Sequence, residues 1–246
     1  VGLFPYFLPM VMAVLFVSVV ETAIATRKVL RPFGFLLANV AAALGAGYVL
    51  GVIGWDSSNY SRGGYGFFSM NLNAPFNPSS LGDSQWSWAL GKLPQHSGQY
   101  DGFNYLGLGV LLFLFFVVVH RLLQVAKEDG PFGPALWRSF AGFVRRHWVV
   151  LAVCAVLTGF AVSTIVVLNG RTLLDISLPA ALDSLCGIFR ASSRLFYPVY
   201  YIIFLFVVRY LLARFTPRQA GVLVTLLVAV QMLDLSGVVM QKHRYY

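Results

Sequence analysis

Residues 55–105 read WDSSNYSRGGYGFFSMNLNAPFNPSSLGDSQWSWALGKLPQHSGQYDGFNY, and they contain no apolar run long enough to cross a bilayer. Gly63-Gly64, Pro75, Pro78, Pro94 and Gly98 interrupt any regular element within them. The chain on either side is different in kind, with apolar runs that reach the roughly 20 residues a membrane-spanning helix needs. If those runs are spans, the polar segment is a loop on one membrane face. A connection of about fifty residues is far longer than a simple link requires, so the segment is expected to be folded and functional. Groups that hold ligands are dense in it: Arg62, Tyr65, Asn71, Asn73, Asn77, Asp83, His96, Gln99, Asp101 and Asn104.

Composition agrees with a membrane protein. Hydrophobic residues make up 58% of the chain and charged residues 11%, with a mean hydropathy of +0.74, whereas a soluble domain carries about 25% charged residues. The fold class is therefore an all-α, polytopic transmembrane helical bundle forming one membrane domain. Spans are expected over about 3–25, 33–54, 106–122, 149–168, 196–212 and 220–240, with loops at 55–105 and 169–195 on the same face. The net charge of +9 does not indicate nucleic acid, because Lys and Arg scatter at span ends and only Arg27-Lys28 and Arg145-Arg146 are adjacent. By this topology Arg27, Lys28, Arg31, Arg121, Lys127, Arg138, Arg145, Arg146, Arg209, Arg214 and Arg218 share one side. Arg62, Lys92, Arg171, Arg190, Arg194, Lys242 and Arg244 share the other. The richer side is expected to be cytoplasmic, which puts both loops and both ends outside, on the periplasmic face of an inner membrane.

Within the spans, Asn39 is expected to need an interhelical partner, and Gly47 and Gly51 form a small-xxx-small pair that permits close helix approach. Residues Ala135–Arg146 suit an interfacial helix, with Trp137, Phe140 and Phe143 toward lipid. Cys154 falls inside a span and Cys186 outside one, a pattern with neither disulfide nor metal spacing. The chain opens on Val1 directly into an apolar run, which suggests a piece of a longer protein.

Three groupings carry chemistry. The ends of the long loop interleave aromatics with amides, glycines and Asp101, the mixture that stacks against sugars and hydrogen-bonds their hydroxyls. Equally, such residues make turns and interfacial belts. Leu182, Leu185 and Phe189 repeat at helical spacing while Asp183, Arg190 and Arg194 stand three, four or seven apart, which predicts one amphipathic helix on the loop face. Arg190 and Arg194, one turn apart on it, would clamp a phosphate. Asp234, about two turns from the end of the last span, is costly there unless paired, and Arg190 or Arg194 is its expected partner. Nucleotide hydrolysis, zinc hydrolysis and serine-hydrolase chemistry have no supporting motif.

The strings GGYGFFSMNL from Gly63, GQYDGFNYLGLG from Gly98, FRASSRLFYPVYY from Phe189 and QMLDLS from Gln231 occur in order. In these the chain resembles the C-terminal half of an uncharacterised bacterial family of polytopic membrane proteins, itself similar to the glycosyltransferase-C superfamily. The resemblance implies transfer of a sugar from a polyprenyl-phosphate donor on the outer face of the inner membrane. It implies that the catalytic acid of such enzymes lies upstream of Val1, leaving donor and acceptor contacts here. Arg190, Arg194, Arg62, Tyr65, Asn71 and Asn104 are then expected to bind substrate, and Asp56, Asp101 and Asp234 are the candidate catalytic carboxylates. Lipid bilayer, a polyprenyl-phosphate-linked sugar, and a missing N-terminal half or other membrane subunits are the expected partners. No cofactor is assigned, and a divalent metal is left open. The alternatives are an assembly or scaffold subunit with a partner-binding loop, and a transporter using Asp234.

Overall fold

The computed structural model describes residues 6–49, 65–79, 84–128 and 130–243. Its helices are α1 (Phe7–Thr26), α2 (Leu30–Val49), α3 (Leu108–Ala126), α4 (Phe132–Val162), α5 (Ala180–Cys186), α6 (Tyr197–Arg214) and α7 (Pro217–His243). A two-stranded hairpin, β1 (Ile165–Leu168) and β2 (Arg171–Asp175), lies between α4 and α5. Six of the helical segments are long and apolar enough to cross a membrane. This is a multi-pass membrane protein.

Two small cores hold the bundle. Met10 of α1, Met70 and Ala74 of the long loop, Leu157 and Ala161 of α4, and Leu195, Phe196 and Val199 at the start of α6 form one cluster. Val207, Leu211 and Leu227 form the other, toward the opposite face, with Phe113 and Phe116 of α3 against them. Much of the remaining helix surface is apolar and exposed, including Leu37, Phe115 and Leu205, as expected where lipid takes the place of a hydrophobic core. Polar contacts tie helices together within this apolar setting. Tyr210 Oη lies 2.8 Å from His120 Nδ1, and Arg121 donates to Ser139 Oγ from Nη2 at 2.8 Å; interhelical bonds of this kind are worth about 0.6–2 kcal/mol each in a membrane.

The structure departs from the sequence reading in four places. The helix expected at Ala135–Arg146 is continuous with the fourth span, and the two parts meet at a break at His147 (φ −118°, ψ 20°). That span stops at Val162, not at residue 168, because Ser163 takes a non-helical conformation (φ 66°, ψ −158°) and Ile165–Leu168 pairs as a strand with Arg171–Asp175. The predicted amphipathic helix is broken into α5 and two short 3-10 turns, Gly187–Phe189 and Ser192–Phe196, with Ala191 at φ −90°, ψ 64° between them. Asn39 bonds to no second helix among the described residues: its Nδ2 donates to Phe35 O, one turn back, at 2.8 Å. Gly51 of the small-residue pair lies outside the described residues.

Candidate functional site on the loop face

The described part of the long loop is folded onto the helix ends of its own chain. Met70 N donates to Ala161 O (2.7 Å) and Leu72 N to Val167 O (2.9 Å), so one stretch follows the end of α4 and the hairpin. Ser193 N donates to Phe68 O and Leu106 N to Pro75 O. Buried amides staple the loop internally. Asn77 Oδ1 accepts from Leu93 N (3.0 Å) while its Nδ2 donates to Leu93 O (3.1 Å), reproducing a strand pairing with one side chain. Asn71 Nδ2 donates to Pro94 O, and its Oδ1 accepts from Asn73 N.

Asp234 is the second anchor and is 1% exposed. One of its oxygens accepts from Ser87 Oγ and the other from Tyr105 Oη at 2.8 Å, with Leu108 N and Ala89 N as further donors at 3.3 and 3.4 Å. Its own carbonyl accepts from Trp88 N. The expected arginine partner is therefore wrong: hydroxyls and backbone N–H groups surround this buried carboxylate. Burial pushes the Tyr105 phenol well above its ordinary value, reinforced by the Asp234 carboxylate and partly opposed by Ser87 and by the backbone of Leu108. Gly107 completes the junction. It sits at φ +88°, and a Cβ there would run into the Gln231 side chain, whose Oε1 accepts from Gly109 N at 3.0 Å. Only a residue without a side chain lets α3 begin against α7 in this way.

The remaining candidates divide between structure and site. Asn71 and Asn104 are each 2% exposed. Asn104 Nδ2 donates to Gly102 O and Ser193 O, both at 3.2 Å, while its Oδ1 is buried without a partner among the described residues. Both asparagines lie inside the loop and not on its surface, where their amides bond to backbone groups of the chain itself. Tyr65 is half-buried, with its phenol pushed up by burial beside Ser163 and Cys186. Arg62 and Asp56 lie outside the described residues.

Asp101, Arg190 and Arg194 do come together. Arg194 Nη2 and Asp101 Oδ1 form an ion pair at 2.8 Å, with both side chains about a quarter exposed. Gly102, next to Asp101, brings the loop so close to the turn at Ser192–Phe196 that a Cβ would lie 2.9 Å from Ser69 O and 3.2 Å from Ser193 Cβ. Ser193 Oγ donates to Asp101 O. The arginines are set by aromatic rings that the sequence reading did not single out. The Arg190 guanidinium lies 4.5 Å above the Phe68 ring, and that of Arg194 lies 5.4 Å from the Tyr6 ring. Tyr100 stands edge-on to Phe68, and Tyr6 edge-on to Phe189. Tyr6 Oη accepts from Ala191 N at 2.8 Å, tying the start of the first span to the break between the arginines. Arg190 is exposed, and no carboxylate pairs with it among the described residues. Among the described residues no group of three or more His, Cys, Asp and Glu side chains is placed to hold a metal ion.

The fold and this site define a multi-pass membrane protein that carries a folded loop on one face, with an arginine and aromatic cluster where loop, α1 and α6 meet. The chain belongs to the family described as "Domain of unknown function (DUF6311)", whose model matches residues 1–236. No curated protein and no solved structure matches the chain.

Proposed function

We propose that this protein is a glycosyltransferase-like membrane enzyme that takes a sugar from a polyprenyl-phosphate donor, with Arg190 and Arg194 receiving the phosphate. The observation that carries this reading is the exposed Arg190 guanidinium, free of any carboxylate among the described residues, near the Arg194–Asp101 pair on the loop face. A partly exposed ion pair contributes only about 0–1 kcal/mol to stability, so its value lies in orientation. Asp101 fixes the Arg194 fork, and Phe68 and Tyr6 supply faces that hold both guanidinium planes. In an inverting transfer the acceptor hydroxyl oxygen bonds to the anomeric carbon as the bond from that carbon to the phosphate oxygen breaks. The electron pair passes to the phosphate, where guanidinium groups stabilise the developing charge. The acceptor's proton must go to a carboxylate, a role we assign to Asp56, which lies outside the described residues. Asp234 is unsuited to that task, being sealed among its four donors, and we assign Asp101 to positioning Arg194.

The test is sugar transfer from a panel of polyprenyl-phosphate sugars in membranes. Arg190→Ala and Arg194→Ala should each abolish transfer at unchanged protein abundance, and Asp101→Asn should reduce it while leaving the loop docked. Full activity in both arginine variants would sink the assignment.

A further inference from the structure

A groove of about 390 Å³ opens on the face opposite the loop, lined by Phe116, Phe215, Arg218, Gln219, Val222 and Leu223. Its volume falls in the range of small-ligand sites, about 300–1,000 Å³. The walls come from α3, the turn between α6 and α7, and the first turns of α7. Its floor is aromatic: the Phe116 and Phe215 rings lie 6.0 Å apart, and both pack on His120, which is itself bonded to Tyr210 of α6. The rim is polar. Thr216 and Gln219 cap α7 reciprocally, Thr216 N and Oγ1 donating to Gln219 Oε1 and Gln219 N donating to Thr216 Oγ1. That engages the Gln219 carbonyl and leaves its amide N–H groups without a hydrogen-bond partner among the described residues. Arg218 is exposed and has no hydrogen-bond or ion-pair partner among the described residues. Apolar walls at span depth below an unpaired guanidinium and an amide donor match one class of occupant, a lipid with an anionic headgroup.

We propose that this groove is a binding site for an anionic phospholipid, whose phosphate is held by Arg218 and the Gln219 amide and whose acyl chain lies along Phe116, Phe215, Val222 and Leu223. The site is independent of the arginine cluster on the loop face, since residues 215–223 take no part there. Bound lipid would brace the turn between α6 and α7 against α3 by filling the groove these three elements leave.

The experiment uses the full chain in detergent micelles, titrated with phosphatidylglycerol or phosphatidylcholine of identical acyl chains, and reads bound lipid by native mass spectrometry. Wild type should favour phosphatidylglycerol about fivefold, the scale of one basic side chain against an anionic headgroup. Arg218→Gln should reduce that preference to within about twofold. Val222→Trp, at an exposed position where a larger ring fills the groove, should lower binding of both lipids. Arg31→Gln, at the start of α2 on the same face, should leave the preference intact. The proposal is overturned if wild type shows no preference, if Arg218→Gln keeps the full preference, if Val222→Trp binds lipid as wild type does, or if Arg31→Gln loses as much as Arg218→Gln.

Discussion

Replacing Asp234 with Ala should release the loop from the bundle. The substitution removes the acceptor for Ser87 Oγ and Tyr105 Oη, both on residues only 4% exposed, and for Leu108 N and Ala89 N. Each buried hydroxyl left without a partner costs about 1–3 kcal/mol, and hydrogen bonds to a charged acceptor are at the strong end of that scale. The two hydroxyls together give about 4 kcal/mol, in line with the cost of breaking other buried charged contacts. At about 1.4 kcal/mol per decade, the open fraction of the loop should rise by roughly three orders of magnitude. Asp234→Asn keeps the shape and one acceptor oxygen but turns an N–H pair toward one of the hydroxyls, so its loss should be about 1–2 kcal/mol, near a tenfold change. Limited proteolysis of the protein in nanodiscs measures this, because cleavage within residues 65–107 follows the open population when reclosing is fast. Cleavage of Asp234→Ala at the wild-type rate would refute the claim that this carboxylate is a loop anchor.

Other consequences follow from the same contacts. Gly107→Ala forces a side chain into a φ of +88° and onto Gln231, which should destabilise by about 2 kcal/mol or more; thermal melting in detergent checks it, and adding Gln231→Ala should restore only the part due to the clash. The Tyr105 phenol titrates higher when folded than its ordinary value near 10.0, so the unfolded or undocked state loses its proton first. Its contribution is thus complete at neutral pH and is lost as pH rises above about 10. Loop protection measured against pH should fall there, and Tyr105→Phe should remove that component; an unchanged alkaline profile in Tyr105→Phe would contradict it.

Hydropathy and length made the six spans legible, since any sequence that crosses lipid must satisfy its backbone internally and carry apolar side chains throughout. They could not mark the end of the fourth span, because Ile165, Val166 and Val167 are as apolar in a strand as in a helix. The signal that separates the two was present in Asn169-Gly170. Both residues adopt positive φ, 51° and 74°, in the two-residue turn joining Leu168 to Arg171, as an Asn-Gly hairpin turn requires. The pairing of Asp101 with Arg194 joins residues 93 positions apart, and the Asp234 contacts join the loop to the last helix across more than a hundred. Spacing along the chain carries no information about such pairs. Arg190 and Arg194 were read as neighbours on one helix, and they meet the site through a different geometry, two short turns broken at Ala191 with Phe68 and Tyr6 as supports. Asn71 and Asn104 looked like ligand groups because the amides that bind sugars and the amides that replace backbone partners in a buried loop are the same residue types.

The central claim, that Arg190 and the Asp101-positioned Arg194 receive a lipid-linked phosphate, is tested most directly by photo-crosslinking with a polyprenyl phosphate carrying a photoreactive group near its phosphate. The account predicts labelling of residues 65–70, 98–103 and 189–201, competed by unlabelled polyprenyl phosphate and reduced at least about tenfold in the double variant Arg190→Ala/Arg194→Ala, the loss expected for two charge-assisted contacts. Labelling spread over other segments, or labelling that persists in the double variant, would contradict it.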